Sequence, residues 1–406
     1  MARMTGGLRV LVTAAASRLG ALVVGALERD PRIGTLIAVD ERPPGAPFAV
    51  AEFVRLAPGS PQLPRVVRGA AVEVLVDLRA AAAVARQDDR ELADHAATTR
   101  RIAAAVAEER SPLRRLVTVG SVHRYGWHRD LPTFLTEATA PRPPRSPRQR
   151  ALAEIEDAAA RAADRHGALE LATVRLADPV GPAGSGLLQV ADRLPLLPTV
   201  LGFDPPLQVV QEEDAAAAVA HVVAEELAGP WIVAADGTLA LSEALRILGR
   251  AHAPLLPPWG SGLLAGILQR AGLAAALDVA GQLRYGRGLD NRRLKQTGFA
   301  YRATTREALL GAEGVRRRRR VLHPGEPEPY DPEVEAFLRY SPSVREAAAD
   351  PEAAERRGVA ALEPEALLDL LPSLDPEALR ALRAHEADGP ARRRILDEID
   401  LLLERR

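Results

Sequence analysis

Short apolar runs alternate with amphipathic stretches through the first part of the chain. Arg9–Thr13 reads as a buried strand and Leu19–Arg29 as a helix. Leu36–Asp40 is a second strand ending in an acid, Phe53–Leu56 a third, and Val72–Leu78 a fourth. A long helix is expected over Glu91–Glu109, a strand over Leu116–Ser121, a helix over Arg150–His166 and a strand over Leu169–Leu176. Uninterrupted apolar strands separated by helices imply an α/β fold, a doubly wound parallel sheet covered on both faces.

From about Gly181 the pattern changes. The Pro-rich piece "LPLLPTVLGFDPPLQVV" precedes a helix at Glu213–Leu227, then Trp231–Val233, then "HAPLLPPWGSGLLAGILQ". This reads as a smaller lobe within 181–315 that leans over the sheet, where a substrate would sit. Five consecutive arginines, Arg316–Arg320, open a basic, Pro-rich stretch that reads as a linker over 316–335. The remainder, 336–406, reads as an appended helical tail. Asp375 before Pro376 and Glu377 is a helix start, the acid as N-cap and proline in the first turn. Leu379, Leu382, Ile395, Ile399 and Leu402 fall at helical spacing. So short a piece needs something to dock on, which makes the tail a candidate protein-interaction element.

Composition narrows the chemistry. The chain has 406 residues, 47 % of them hydrophobic, enough to bury a substantial core. A net charge of −1 offers no electrostatic case for nucleic acid. The absence of cysteine excludes thiolate catalysis and cysteine-ligated zinc. Eight scattered histidines lack metal-site spacing, so no metal site is expected. The run Gly260–Gly281 is broken by Gln269, Arg270 and Asp278, so no transmembrane segment is expected. With no leader-like pattern at the start, a soluble cytoplasmic protein is expected. Lys295 is the only lysine, which matters wherever a catalytic ammonium would be required.

Several motifs occur in a telling order. "VTAAASRLG" joins the first strand to its helix, and Asp40 ends the second strand. "VLVDLRA", "VTVGSVHRYG", "VRLADPVGP", "QEEDAAAAV" and "LDNRRLKQTGF" follow. Together, over 7 to about 315, they resemble the extended short-chain dehydrogenase/reductase family of the NAD-dependent epimerase/dehydratase type. The resemblance implies a Rossmann-like fold with a C-terminal substrate lobe, an NAD cofactor and a small-molecule or nucleotide-linked substrate. It also implies a homodimer paired through helices such as 91–109 and 150–166. Residues 316–406 lie outside it.

Against that family the chain departs at two places. In its glycine turn the first glycine allows a tight bend, the second lets the backbone approach the pyrophosphate, and the third packs helix on strand. Here those positions are Ala14, Ser17 and Gly20. Ala14 suits the turn if its φ stays negative. Ser17 either donates to a phosphate oxygen or crowds it. Thr13, Ala15, Ser17, Arg18, Leu19 and Gly20 are the expected phosphate contacts. Asp40 would accept from the ribose hydroxyls and favour NAD over NADP, with Arg42 beside it as a possible counter-charge. Leu78, Arg79 and Ala80 would line the next strand end. Arg55-Leu56 stands where the family has an acid near the adenine.

The resemblance also places the family's reaction centre. Ser121 matches the substrate-orienting serine. The tyrosine and lysine of the Tyr-x-x-x-Lys pair fall at Ser146 and Arg150. Serine cannot ionise as a phenol does, and a guanidinium is not an ammonium. Tyr125, in the Tyr-Gly turn, and His123 are the stand-in acid/base candidates; His123 and His128 read first as ordinary loop histidines. Two lesions in one cleft point to a catalytically impaired, nucleotide- or ligand-binding regulator or scaffold. The alternative is an active NAD-dependent oxidoreductase or epimerase/dehydratase with a non-standard acid/base. The Pro-rich lobe and arginine run leave a third reading, a lipid-surface protein.

Overall fold

The structure is a computed structural model that describes residues 7–57, 60–106, 111–181, 186–194, 196–257, 265–266, 276–322, 368, 371, 376–388 and 392–404. The chain divides into two units, Met1–Pro327 and Glu328–Arg406.

In the first unit β1 (Leu8–Thr13) leads into α1 (Arg18–Glu28), β2 (Ile33–Asp40) and β3 (Glu52–Arg55). Then come α2 (Leu63–Gly69), β4 (Val74–Asp77), α3 (Arg79–Ala85), α4 (Asp89–Val106) and β5 (Arg115–Ser121). The chain continues through β6 (Phe134–Leu135), α5 (Pro147–Arg165), β7 (Glu170–Leu176) and β8 (Asp178–Val180). The central sheet has seven strands in the order β12-β7-β5-β4-β1-β2-β3, where β12 is Gly229–Val233. Each pairing in it is parallel. This is the doubly wound α/β sheet that the apolar runs predicted. Its order reverses between β1 and β4, and a ligand of such a sheet lies over that reversal, at the carboxyl ends of the strands.

The core follows from the sequence pattern. Val10, Val12, Val76, Val117 and Val174 pack one face with α1 residues Val23, Val24 and Leu27. Leu11, Ile37, Leu75 and Leu116 pack the other. Strands buried on both faces are therefore continuously apolar, which is why they are legible.

The smaller lobe has its own core, including Val180, Leu187, Leu197, Val209, Leu241, Leu245 and Leu283. It is built largely from pieces too short to read from pattern: α6 (Gly186–Arg193), β9 (Leu197–Val200), β10 (Pro206–Leu207), β11 (Val209–Gln211), α8 (Leu241–Ile247) and α9 (Ala276–Tyr285). The helix expected at Glu213–Leu227 is α7 (Glu212–Ala224), and its Ala218, Val219 and Val222 join the main core. The end of the expected helix at 107–109, the apolar run from 258 to 275 apart from 265–266, and tail residues 336–367 lie outside the described residues.

The stretch expected as a linker is helical at its start. The helix Thr305–Leu322 runs through Arg316–Arg320 without a break. Arginine has high helix propensity, so a run of charge does not end a helix. The unit boundary falls after Pro327, within the stretch expected as a linker. In the second unit the helices Pro376–Asp388 and Arg393–Glu404 share a core of Leu371, Leu379, Leu382, Ile395 and Ile399. Pro376 opens its helix as the sequence predicts. Among the described residues, no helix is long and apolar enough to cross a membrane.

Candidate functional site

The turn after β1 keeps a glycine-like shape without the glycines. Ala14 has φ +52°, in the left-handed region, so the condition of a negative φ is not met. That conformation costs an alanine about 1 kcal/mol. Three contacts hold it. Ser17 N and Ser17 Oγ both donate to Ala14 O, at 3.1 and 2.6 Å, and Ala15 N donates to Val39 O at 3.2 Å. Gly20 keeps its role, because a Cβ there would meet Ala14 O at 2.1 Å.

Ser17 is the N-cap of α1, and its Oγ accepts from Gly20 N at 3.0 Å. An N-cap serine satisfies one of the free amides of the first helical turn. Ala16 N is also taken, donating to Asp40 Oδ2 at 3.0 Å. Among the described residues, the amides of Arg18 and Leu19 keep no partner. Two open N–H groups at a helix N-terminus suit an anion.

Asp40 ends β2 half-buried and accepts from Ala16 N and Arg42 N, both at 3.0 Å. A carboxylate has about four lone-pair sites, so acceptor capacity remains for ribose hydroxyls. The Arg42 guanidinium is exposed and lies 3.7 Å from Glu41. The Arg18 guanidinium is held by Glu212 of α7, with Glu213 at 3.7 Å. Burial pushes the Glu212 carboxyl upward in spite of that partner.

The next strand end is closed. Leu78, Arg79 and Ala80 are buried. The Arg79 guanidinium forks onto Asp77 at 2.6 and 2.8 Å and also donates to Thr98 and Thr99. Thr13 donates to Asp77 at 2.9 Å. Burial works against the Asp77 charge, but Arg79 and Thr13 outweigh it and hold the carboxyl at about 2. Sequence reading expected ligand contacts from Thr13 and Arg79 and missed Asp77; the three side chains are bound to one another.

The reaction end is closed more completely. Ser121 ends β5, buried, and its Oγ accepts from His123 N at 3.3 Å. His123 is 1 % exposed. Its Nε2 lies 3.1 Å from Asp178 of β8, and its Nδ1 lies 3.8 Å from Asp278 of α9. Trp127 Nε1 points at the same Nδ1 from 3.3 Å. Gln149 donates to Asp278 at 2.7 Å, and Gln282 donates to Asp178 at 3.3 Å. Burial opposes charge on the imidazole, yet the two carboxylates overcome it and raise His123 to about 9. The Trp127 contact favours a lone pair on Nδ1. It is one long neutral contact against two buried charges, so the charged imidazole prevails.

Ser146, at the tyrosine position, is buried as the N-cap of α5, and its Oγ accepts from Gln149 N at 3.1 Å. Arg150, at the lysine position, is exposed, and its side chain has no partner among the described residues. Tyr125 is fully buried, donates to Thr136 O at 3.0 Å and accepts from Arg175 at 2.9 Å. Burial raises its phenol further, against the pull of Arg175. Arg175 stacks on the ring at 4.7 Å and forks onto Glu156. Tyr125 is thus a packing residue here. His128 lies near the surface, 3.0 Å from Asp130.

Asp178, Asp278, Gln149 and Trp127 were not singled out by sequence reading. Asp278 had a signal: a lone acid inside an apolar run needs a partner if it is buried. Its helix α9 packs tightly on the cleft, since a Cβ on Gly281 would meet Trp127 Cβ at 2.9 Å.

Comparisons with known proteins agree on the fold. The family model for the NAD-dependent epimerase/dehydratase family matches residues 10–197. An uncharacterized protein of Mycobacterium tuberculosis is 30 % identical over 311 residues, covering 74 % of this chain and 82 % of the relative. One from Mycobacterium bovis matches to the same extent, 30 % over 311 residues. Among solved structures, MoeE5 in complex with UDP-glucose and NAD aligns with TM-score 0.56 and 20 % identity, covering 76 % of this chain and 99 % of that one. The dTDP-glucose 4,6-dehydratase DesIV of Streptomyces venezuelae, with NAD and TYD bound, aligns with TM-score 0.57 and 20 % identity, over 77 % and 98 %.

Proposed function

The chain belongs to the NAD-dependent epimerase/dehydratase family, and from that membership we propose that it binds NAD without turning it over, as a regulator or scaffold. One observation carries the reading. The residue at the tyrosine position, Ser146, is buried and uses its hydroxyl as a helix cap. A serine hydroxyl does not ionise as the family's phenol does, so the usual proton-transfer group is missing from that position. Loss of a general acid/base typically costs about 10²–10⁴-fold in rate.

The turn fits the cofactor better than the reaction end does. The amides of Arg18 and Leu19 would hold the pyrophosphate, and Asp40 the adenosine ribose. A 2′-phosphate would face that carboxylate, so NAD is preferred over NADP. NAD, when bound, supplies hydride chemistry; this chain's residues supply the binding. Solved relatives in complex with UDP-glucose support a nucleotide-linked small molecule as a second ligand. The second unit's helices are the proposed protein-interaction element, and a cytoplasmic homodimer is the proposed setting.

Calorimetric titration with NAD, NADH and NADP, followed by an absorbance assay for NADH formation, tests the proposal. Binding of NAD below millimolar with turnover under about 0.1 s⁻¹, against a usual median near 10 s⁻¹, is expected. No binding at millimolar NAD, or turnover at the usual rate, overturns it. A second reading, an active enzyme with His123 as the acid/base, draws on the His123–Asp178 contact. A His123→Gln variant that removed a measurable pH-dependent rate would favour it.

A further inference from the structure

The polar groups around the strand ends fall into two sets. On the β1–β2 side are the open amides of Arg18 and Leu19 and the half-buried Asp40 carboxylate. Across the reversal, at the ends of β4 and β5, Asp77 is bound by Thr13 and Arg79, and Arg79 by Asp77, Thr98 and Thr99. His123 is held by Asp178 and Asp278, and Ser146 caps α5. All four of these are buried. A ligand that spans the reversal lays one half on each set.

Resting on the reading of this chain as a nucleotide binder, we infer that it recognises only the nucleoside-diphosphate half of its ligand, and so binds ADP, ADP-ribose, NAD and NADH alike. The recognised chemistry is a pyrophosphate on two backbone amides and a ribose with free 2′ and 3′ hydroxyls on Asp40. The nicotinamide half meets side chains already bound to one another, and its redox state changes nothing that the protein touches. Arg150 is the residue that challenges this. It is exposed at the lysine position, where it could grip the second ribose. ADP-ribose carries that ribose and ADP does not, so the pair isolates it.

The test is calorimetric titration of the full chain with ADP, ADP-ribose, NAD and NADH, with AMP and 2′-deoxy-ADP as controls. Affinities within about threefold across the first four are expected, with AMP and 2′-deoxy-ADP weaker by tenfold or more. Asp40→Asn weakens all four equally. A tenfold step from ADP to ADP-ribose that Arg150→Ala abolishes overturns the inference, as does a tenfold step from ADP-ribose to NAD or between NAD and NADH. In those cases nucleotide binding itself stands. If none of the four binds at millimolar concentration, the nucleotide-binding reading falls, and the inference with it.

Discussion

The turn after β1 and the cluster at the end of β5 differ in what they leave open. In the turn, Ala14 holds φ +52° and Ser17 caps a helix whose first two amides keep no partner among the described residues. In the cluster, the Ser121 hydroxyl accepts from the His123 backbone amide, and the His123 side chain is held by Asp178 and Asp278. Backbone recognition tolerates substitution because neighbours can impose a conformation. Proton transfer tolerates less, because it needs one atom type in one place.

The largest expected effect comes from breaking the cluster. Asp178→Ala leaves His123 with one distant carboxylate and should destabilise the first unit by about 3–5 kcal/mol, as for a buried pair stripped of one member. Asp40→Ala should cost about 1 kcal/mol. Equal melting temperatures for the two variants would erase the contrast between a structural cluster and a recognition site.

Acidity offers the next test. His123 stands at about 9 in the fold against an ordinary 6.5. Its stabilising contribution is therefore complete below about pH 6.5 and is lost as pH rises through about 9, a change of roughly 3 kcal/mol. Melting temperature measured from pH 6 to 10 should fall, and His123→Gln should flatten that slope. A slope unchanged in the variant would place the titrating group elsewhere.

A smaller effect is expected at the turn. Ala14→Gly relieves the positive φ but adds unfolded-state entropy, so stability should rise by only about 0.5 kcal/mol. Combined with Ser17→Gly, which releases Gly20 N, it should tighten NAD binding about threefold, equivalent to ~0.7 kcal/mol. Unchanged affinity in the double variant would count against a competent pocket. The least change is expected from deleting residues 328–406, which should leave the first unit's calorimetric transition in place. Its disappearance would make the two units one.

Much of the fold was legible because parallel strands buried on both faces must be apolar along their length. Val10–Val12 and Leu116–Val119 carry that signature. The lobe after Gly181 hid its strands because several have two or three residues. Helix α3 hid because its "RAAAAVA" follows a strand directly, without a side-chain cap. At the site, the states of the side chains were not legible. Glu154 was the basis for assigning Ser146 to the tyrosine position, but the capping role of Ser146 comes from Gln149 N three residues on. Ala14's left-handed backbone leaves no trace in sequence, since only its hydrogen-bonding neighbours enforce it.

The role of Ser146 bears on what position 146 can accept. A tyrosine there would remove the cap of α5 and push a ring into space beside Asp278 and Gln149, under a helix that Gly281 seats against Trp127. It would be accommodated only if α9 drew back, so the seating of one glycine on one tryptophan governs the choice of side chain on a different helix.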